Sequence, residues 1–89
     1  MRIKEGFVLR EVAGQIMVIA TGEASKSFHG MIKLNGTGRD IWVALQAGKS
    51  ELEIIKELQE KYQIEEAQAK DDTEEFLKQM LEAGFLTNE

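Results

Sequence analysis

Phe7 to Val12 reads as a strand, with Phe7, Leu9 and Glu11 on one side and Val8, Arg10 and Val12 on the other. Successive side chains of a strand point to opposite faces. Ala13-Gly14 reads as a tight turn, and Gln15 to Thr21, with IMVIA at its heart, as a second strand. That strand is apolar on both faces, which suits a central strand with neighbours on each side. A two-sided apolar strand also needs cover on its far face. The N-terminus, a loop or a second copy of the chain, giving a homodimer, would each supply it. Gly22 to Gly30, rich in Gly, Ser and Lys, reads as a loop anchored by Phe28. Met31 to Leu34 is a short third strand, with Ile32 and Leu34 on one face and Met31 and Lys33 on the other. Its length places it at a sheet edge, where its outer N–H and C=O groups lack partners.

The period then changes to that of helices. Asn35-Gly36 is turn chemistry, and Asn35 or Thr37 is placed to cap a first helix carrying Ile41, Trp42 and Leu45, which Gly48 stops. Trp42 is assigned to the core. Ser50-x-x-Glu53 is a capping-box pattern opening a second helix. Leu52, Ile55, Leu58 and Tyr62 form its apolar stripe with Ile54 beside them, and Glu57 and Lys61 are spaced as a favourable i,i+4 pair. After a break at Gln63 to Glu65, with Ile64 tucked inward, a third helix runs from about Glu66 to Ala83. Ala69, Thr73, Phe76, Leu77, Met80 and Leu81 share its broad apolar face. Gly84 is the expected C-cap, Phe85 and Leu86 fold back onto the core, and Thr87 to Glu89 are expected to fray.

Strands followed by helices indicate an α+β fold. The expectation is one domain over residues 1–89, a three-stranded antiparallel sheet followed by three helices. The last two helices and the sheet have the parts of a winged helix-turn-helix.

Composition narrows the function. The 89 residues include no cysteine and no proline, which leaves no disulfide scaffold, thiol nucleophile or cysteine metal site. The opening MRIKEGFVLREV lacks the apolar run of a signal peptide, and nothing approaches the roughly 20 apolar residues of a membrane span. A soluble cytoplasmic protein is therefore expected, with no membrane partner. Charge is uneven. Residues 1–49 carry seven Lys/Arg against four Asp/Glu, net +3, whereas residues 50–89 carry four against twelve, net −8. From Glu65 to Glu82 there are seven acids and two lysines. A DNA-reading helix carries Arg and Lys at this place, so the winged-helix alternative, a nucleic-acid-binding domain, fails the charge test.

Catalytic chemistry is not legible either. The single histidine, His29, sits in the expected loop and reads as an exposed or hydrogen-bonded imidazole. One histidine without cysteine builds no ordinary zinc site. Asp71, Asp72, Glu74 and Glu75 fan around a helix rather than converging as a catalytic pair. Gly36 and Gly38 in NGTG match neither a P-loop nor a dinucleotide fingerprint, and no cofactor site is read.

Three phrases together carry a resemblance: KEGFVLREVAG, GMIKLNGTGRDIWVAL, and D-x-x-x-F-L-x-x-M-L-x-x-G-F-L from Asp72 to Leu86. In order and spacing the chain resembles the PqqD family, peptide-binding chaperones whose fold is the RiPP precursor peptide recognition element. The resemblance covers nearly the whole chain. It implies three strands packed on three helices. It also implies binding of the leader segment of a ribosomally made precursor peptide, and presentation of that peptide to a partner enzyme, a radical SAM protein or a leader peptidase. The leader is implied to add as an extra strand against the third strand, in a groove facing the third helix. Lys33 and Thr73 depart from the family pattern, and they bear on which leader is preferred.

The candidate peptide-binding residues follow. Met31, Ile32, Lys33 and Leu34 contribute backbone, which is where strand addition takes its affinity. Ile32 and Leu34 also serve the core, and Lys33 guards an edge against aggregation. Phe76 belongs to the apolar face of the third helix. Asp72 and Gln79 lie seven residues apart, two helical turns, and flank that face as a rim.

Overall fold

The first and last strands of the described residues are partners. In the computed structural model, which describes residues 2–22 and 31–87, β1 (Arg2–Ile3) pairs antiparallel with β5 (Leu86–Thr87), Arg2 opposite Thr87 and Ile3 opposite Leu86. The Lys4 N–H donates to the Phe85 carbonyl at 2.8 Å and continues the tie. Thr87 is therefore held in a strand rather than frayed. This pairing joins residues more than eighty positions apart, and two-residue strands have no legible period. Most of the loop expected over Gly22 to Gly30, with Phe28 and His29, lies outside the described residues, as do residues 88–89 and the side chain of Met31.

The main sheet has the order β2 (Phe7–Val12), β3 (Gln15–Ala20), β4 (Met31–Leu34), antiparallel throughout. Ala13 (φ 52°) and Gly14 (φ 79°) both adopt positive φ in the two-residue turn, the geometry whose twist suits a hairpin. Register aligns Leu9, Val18 and Ile32 in one row, and Ile16 opposite Leu34. Together with Phe7 and Ala20 they form the face turned to the core. On the other face Val8, Met17 and Ile19 are half-buried and stand outside the core cluster, and Val12 is 49% exposed. The N-terminus, one of the expected covers for this face, is taken up by β5 instead.

Three helices follow: α1 (Gly36–Gln46), α2 (Glu51–Tyr62) and α3 (Glu66–Ala83). Their ends were set locally. The Gly38 N–H donates to Asn35 Oδ1 at 2.7 Å. The Ser50 capping box closes reciprocally, with Glu53 N–H on Ser50 Oγ at 3.2 Å and Ser50 N–H on Glu53 Oε1 at 3.0 Å. Gly84, at φ 87°, ends α3 and lets the Phe85 N–H reach the Met80 carbonyl at 2.9 Å. Phe85 is thereby turned inward, fully buried, with ring centroids 4.5 Å from Phe7 and 6.1 Å from Trp42, both edge-on. One side chain thus bolts the sheet to α1. The observed fold is α+β, three strands and three helices, compatible with a winged helix-turn-helix description.

Some local expectations are corrected. Ile54, Ile55 and Leu58 make the buried stripe of α2, whereas Leu52 is 72% exposed. The sequence offers two overlapping stripes, and packing against α1 and α3 chose the one containing Ile54. Tyr62 is 38% exposed, and its hydroxyl donates to Asp40. The expected Glu57–Lys61 pair does not form. Glu57 meets Lys49, and Lys61 Nζ reaches Asp40 Oδ1 at 2.9 Å. Tertiary neighbours outcompeted an i,i+4 contact worth only about 0.2–0.5 kcal/mol.

Candidate functional site

β4 pairs with β3 alone, so among the described residues its other side meets no strand. Backbone groups of alternate residues point to opposite sides of a strand, so two of the four residues Met31 to Leu34 present N–H and C=O to the open side. The side chains are divided as their alternation dictates. Leu34 is buried and Ile32 is packed against the core, while Lys33 is exposed opposite Met17 on the other face.

A cleft opens where β4 ends. Asn35, the residue after the strand, lines it together with Thr37, Gly38 and Ile41 of α1. Asp72, Glu75, Phe76 and Gln79 of α3 form the facing wall, and the cavity measures about 280 Å³. The α3 positions recur at three and four residues, so they make one stripe along two turns. Three of the residues picked out on α3, Asp72, Phe76 and Gln79, are therefore brought into one cleft, one residue beyond the open edge. Asp72 and Phe76 are half-buried and Gln79 is exposed.

The two walls approach closely at Gly38. A Cβ there would stand 3.1 Å from Phe76 Cε2 and 3.2 Å from Asn35 Oδ1. A side chain at this position would push the Phe76 ring, and the absence of one lets the ring serve as cleft floor. Asn35, Thr37, Gly38, Ile41 and Glu75 were not picked out as site residues from the sequence. Glu75 was within reach, since it is three residues from Asp72 and four from Gln79. Asn35 and Gly38 were legible as a cap and a turn, and their second role exists only because α3 crosses beside them.

The electrostatics of the cleft are one-sided. Among the described residues Asp72 and Glu75 make no ion pair or side-chain hydrogen bond. Another cleft, of about 360 Å³ between α1 and α2, differs in this respect. Its Lys61 is paired with Asp40 and its Lys49 with Glu57, so most of its charge is already neutralised. Asp40 also accepts from Tyr62, and this bond holds the phenol above its ordinary pKa. The same carboxylate holds Lys61 above its own. Among the described residues no cluster of three His, Asp or Glu side chains is arranged to hold a metal ion, and no helix is long and apolar enough to cross a membrane.

Comparison with known proteins bears on the family and the fold. The family model described as coenzyme PQQ synthesis protein D (PqqD) matches residues 14–86. No curated protein is similar enough to be called a relative. Among solved structures, TbiB1 in complex with the TbiA(beta) leader peptide superposes with a TM-score of 0.81 at 19% identity, over 100% of this chain and 98% of that one. A lasso peptide synthetase B1 complexed with its leader peptide gives 0.76 at 18% identity, over 93% of this chain and 92% of that one. At such identities the likeness is one of fold, and it extends to the short terminal strands that the family match does not fully reach. The matched residues take in β3, the open strand and all three helices, and on that match the chain belongs to the PqqD family.

Proposed function

We propose that this protein binds the leader segment of a ribosomally made precursor peptide and presents the peptide to a separate modifying enzyme. The leader adds as a fourth strand along Met31 to Leu34, and its side chains seat in the cleft between α1 and α3. The observation that carries this reading is the juxtaposition of an unpaired strand edge with a cleft that begins one residue past its end. Backbone pairing supplies sequence-tolerant affinity, and the cleft supplies register. The two fold neighbours were solved with leader peptides bound, which supports the same use of the fold here. The partner enzyme is a radical SAM protein or a leader peptidase. Catalysis is assigned to that partner: the cleft holds two carboxylates, two amides, a phenyl ring and the Thr37 hydroxyl, and that hydroxyl is engaged with Tyr62 rather than with a carboxylate base. The nucleic-acid reading is disfavoured by the carboxylates on the exposed surface of α3.

Titration of the labelled protein with a leader peptide tests the placement. The expected result is shifted or protected amides at Met31 to Leu34 and along the Asp72–Gln79 stripe. Perturbation confined to the β2–β3 hairpin would reject it.

A further inference from the structure

The cleft is polarised along its length. By helical rise Asp72 stands at one end of the α3 wall and Gln79 at the other, with Glu75 and Phe76 about 1.5 Å apart in level between them. Both carboxylates lack a partner among the described residues, although Lys70 and Lys78 lie on the same helix. Asp72 is in addition half-buried, so its charge is not simply dissolved in water. The uncharged polar groups of the cleft are the amides of Gln79 and Asn35 and the hydroxyl of Thr37.

Resting on the proposed function, we infer that the cleft selects a leader segment in which an apolar residue and a lysine or arginine stand two positions apart. The apolar side chain lies on Phe76 and the cation against Asp72. The spacing follows from two repeats. Phe76 and Asp72 are four residues apart on a helix, a rise of about 6 Å. Alternate residues of a strand, which share a face, are about 6.6–6.8 Å apart. A strand laid along α3 therefore brings residue i onto Phe76 and residue i+2 or i−2, according to chain direction, to Asp72. Immediate neighbours in the leader point to the opposite face and do not reach the cleft. Because Asp72 stands at one end of the α3 wall and the uncharged Gln79 at the other, the preference is one-sided: a base on one flank of the apolar anchor strengthens binding and a base on the other does not.

A positional-scanning library of synthetic dodecapeptides tests this on the full chain. Each peptide carries one aromatic or aliphatic anchor, with Lys, Arg, Gln or Glu placed one, two or three positions to either side. Binding is read by amide shifts at Met31 to Leu34 and by Kd. The expected result is a gain of about three- to fivefold for Lys or Arg over Gln at a distance of two on one side, the range of a partly exposed ion pair. The gain should weaken with salt. In Asp72→Lys/Glu75→Lys the preference at that position should turn over to Glu, a reversal that general destabilisation does not produce. Peptides that shift the β4 amides with no charge preference, or with an equal one on both flanks, overturn this inference and leave the proposed function standing. Failure of every peptide to shift those amides overturns both.

Discussion

Thr73 shows how one side chain is decided by a context it cannot announce. It lies on the apolar face of α3, fully buried, and its Oγ1 has no hydrogen-bond partner among the described residues. An unpaired buried hydroxyl costs about 1–3 kcal/mol. Valine has nearly the same shape and a similar helix propensity. Thr73→Val is therefore expected to stabilise the protein by about 1 kcal/mol in urea denaturation. A loss of stability would mean that the hydroxyl is satisfied by something other than the described protein groups. The indole N–H of Trp42 is likewise buried without a partner, but its ring is the largest buried in the core and no isostere replaces it. Gly38 is the converse case, where a Cβ would stand only 3.1 Å from the Phe76 ring and 3.2 Å from Asn35 Oδ1 and would force them to give way.

Among the elements, α1 and α2 are joined at one end by a contact that neither contains alone. Asp40 of α1 accepts from the Tyr62 hydroxyl and from Lys61, both in the last turn of α2. The Tyr62 pKa is raised from its ordinary 10.0, first by the hydrogen bond to Asp40, then by burial and by the Asp40 charge. A group whose folded pKa is raised contributes stability below its unfolded pKa and loses it as pH rises through the folded one. Lys61, raised by the same carboxylate, acts in the same direction. Stability is thus expected to decline at alkaline pH, above about 10, as the phenol ionises beside Asp40. Tyr62→Phe removes the titrating group, so its stability should fall less steeply with pH in that range, in thermal melts taken from neutral pH upward. Parallel curves for the two proteins would show that the contact contributes no pH dependence. The exposure of Tyr62 keeps the effect small. Capping, by contrast, was legible without any neighbour, because Ser50 and Glu53 satisfy each other's backbone groups within one turn.

For the whole molecule, the role proposed for the open edge and the acidic helix is to hold a leader segment in place. A bound leader raises the local concentration of the attached core segment at a partner's active site. The protein should therefore lower the apparent KM of a partner enzyme for the full precursor and leave a leaderless core unaffected. Lys33→Pro removes a backbone N–H from β4 and restricts φ. The gain should fall in that variant, provided circular dichroism shows it folded. Should the protein alone alter the precursor, or a leaderless core be modified equally well with and without it, the chaperone reading is rejected. Phe85, between Phe7 and Trp42, ties the sheet to α1, and a shift of one against the other would part those ring contacts.

What the chain determined by itself is what neighbouring residues decide among themselves. Short, strongly apolar runs bounded by turn residues gave the three main strands, helical spacing gave α1 and α3, and Asn35, Ser50 and Gly84 marked helix ends, all within a few residues of each signal. The edge position of β4 also followed from its length. Tertiary structure decided wherever two local solutions were nearly equal in energy or no local signal existed. Ile54 rather than Leu52 went inward because α1 and α3 lie on that side. Lys61 turned to Asp40 because an exposed i,i+4 pair is too weak to hold it. β1 and β5 exist only as each other's partner. The cleft belongs to the same class. Asp72, Phe76 and Gln79 share a stripe by helical arithmetic, but their meeting with Asn35 and Gly38 required α3 to pack across the start of α1. Sequence spacing carries no information about such a crossing, because the contact is made between residues more than thirty positions apart.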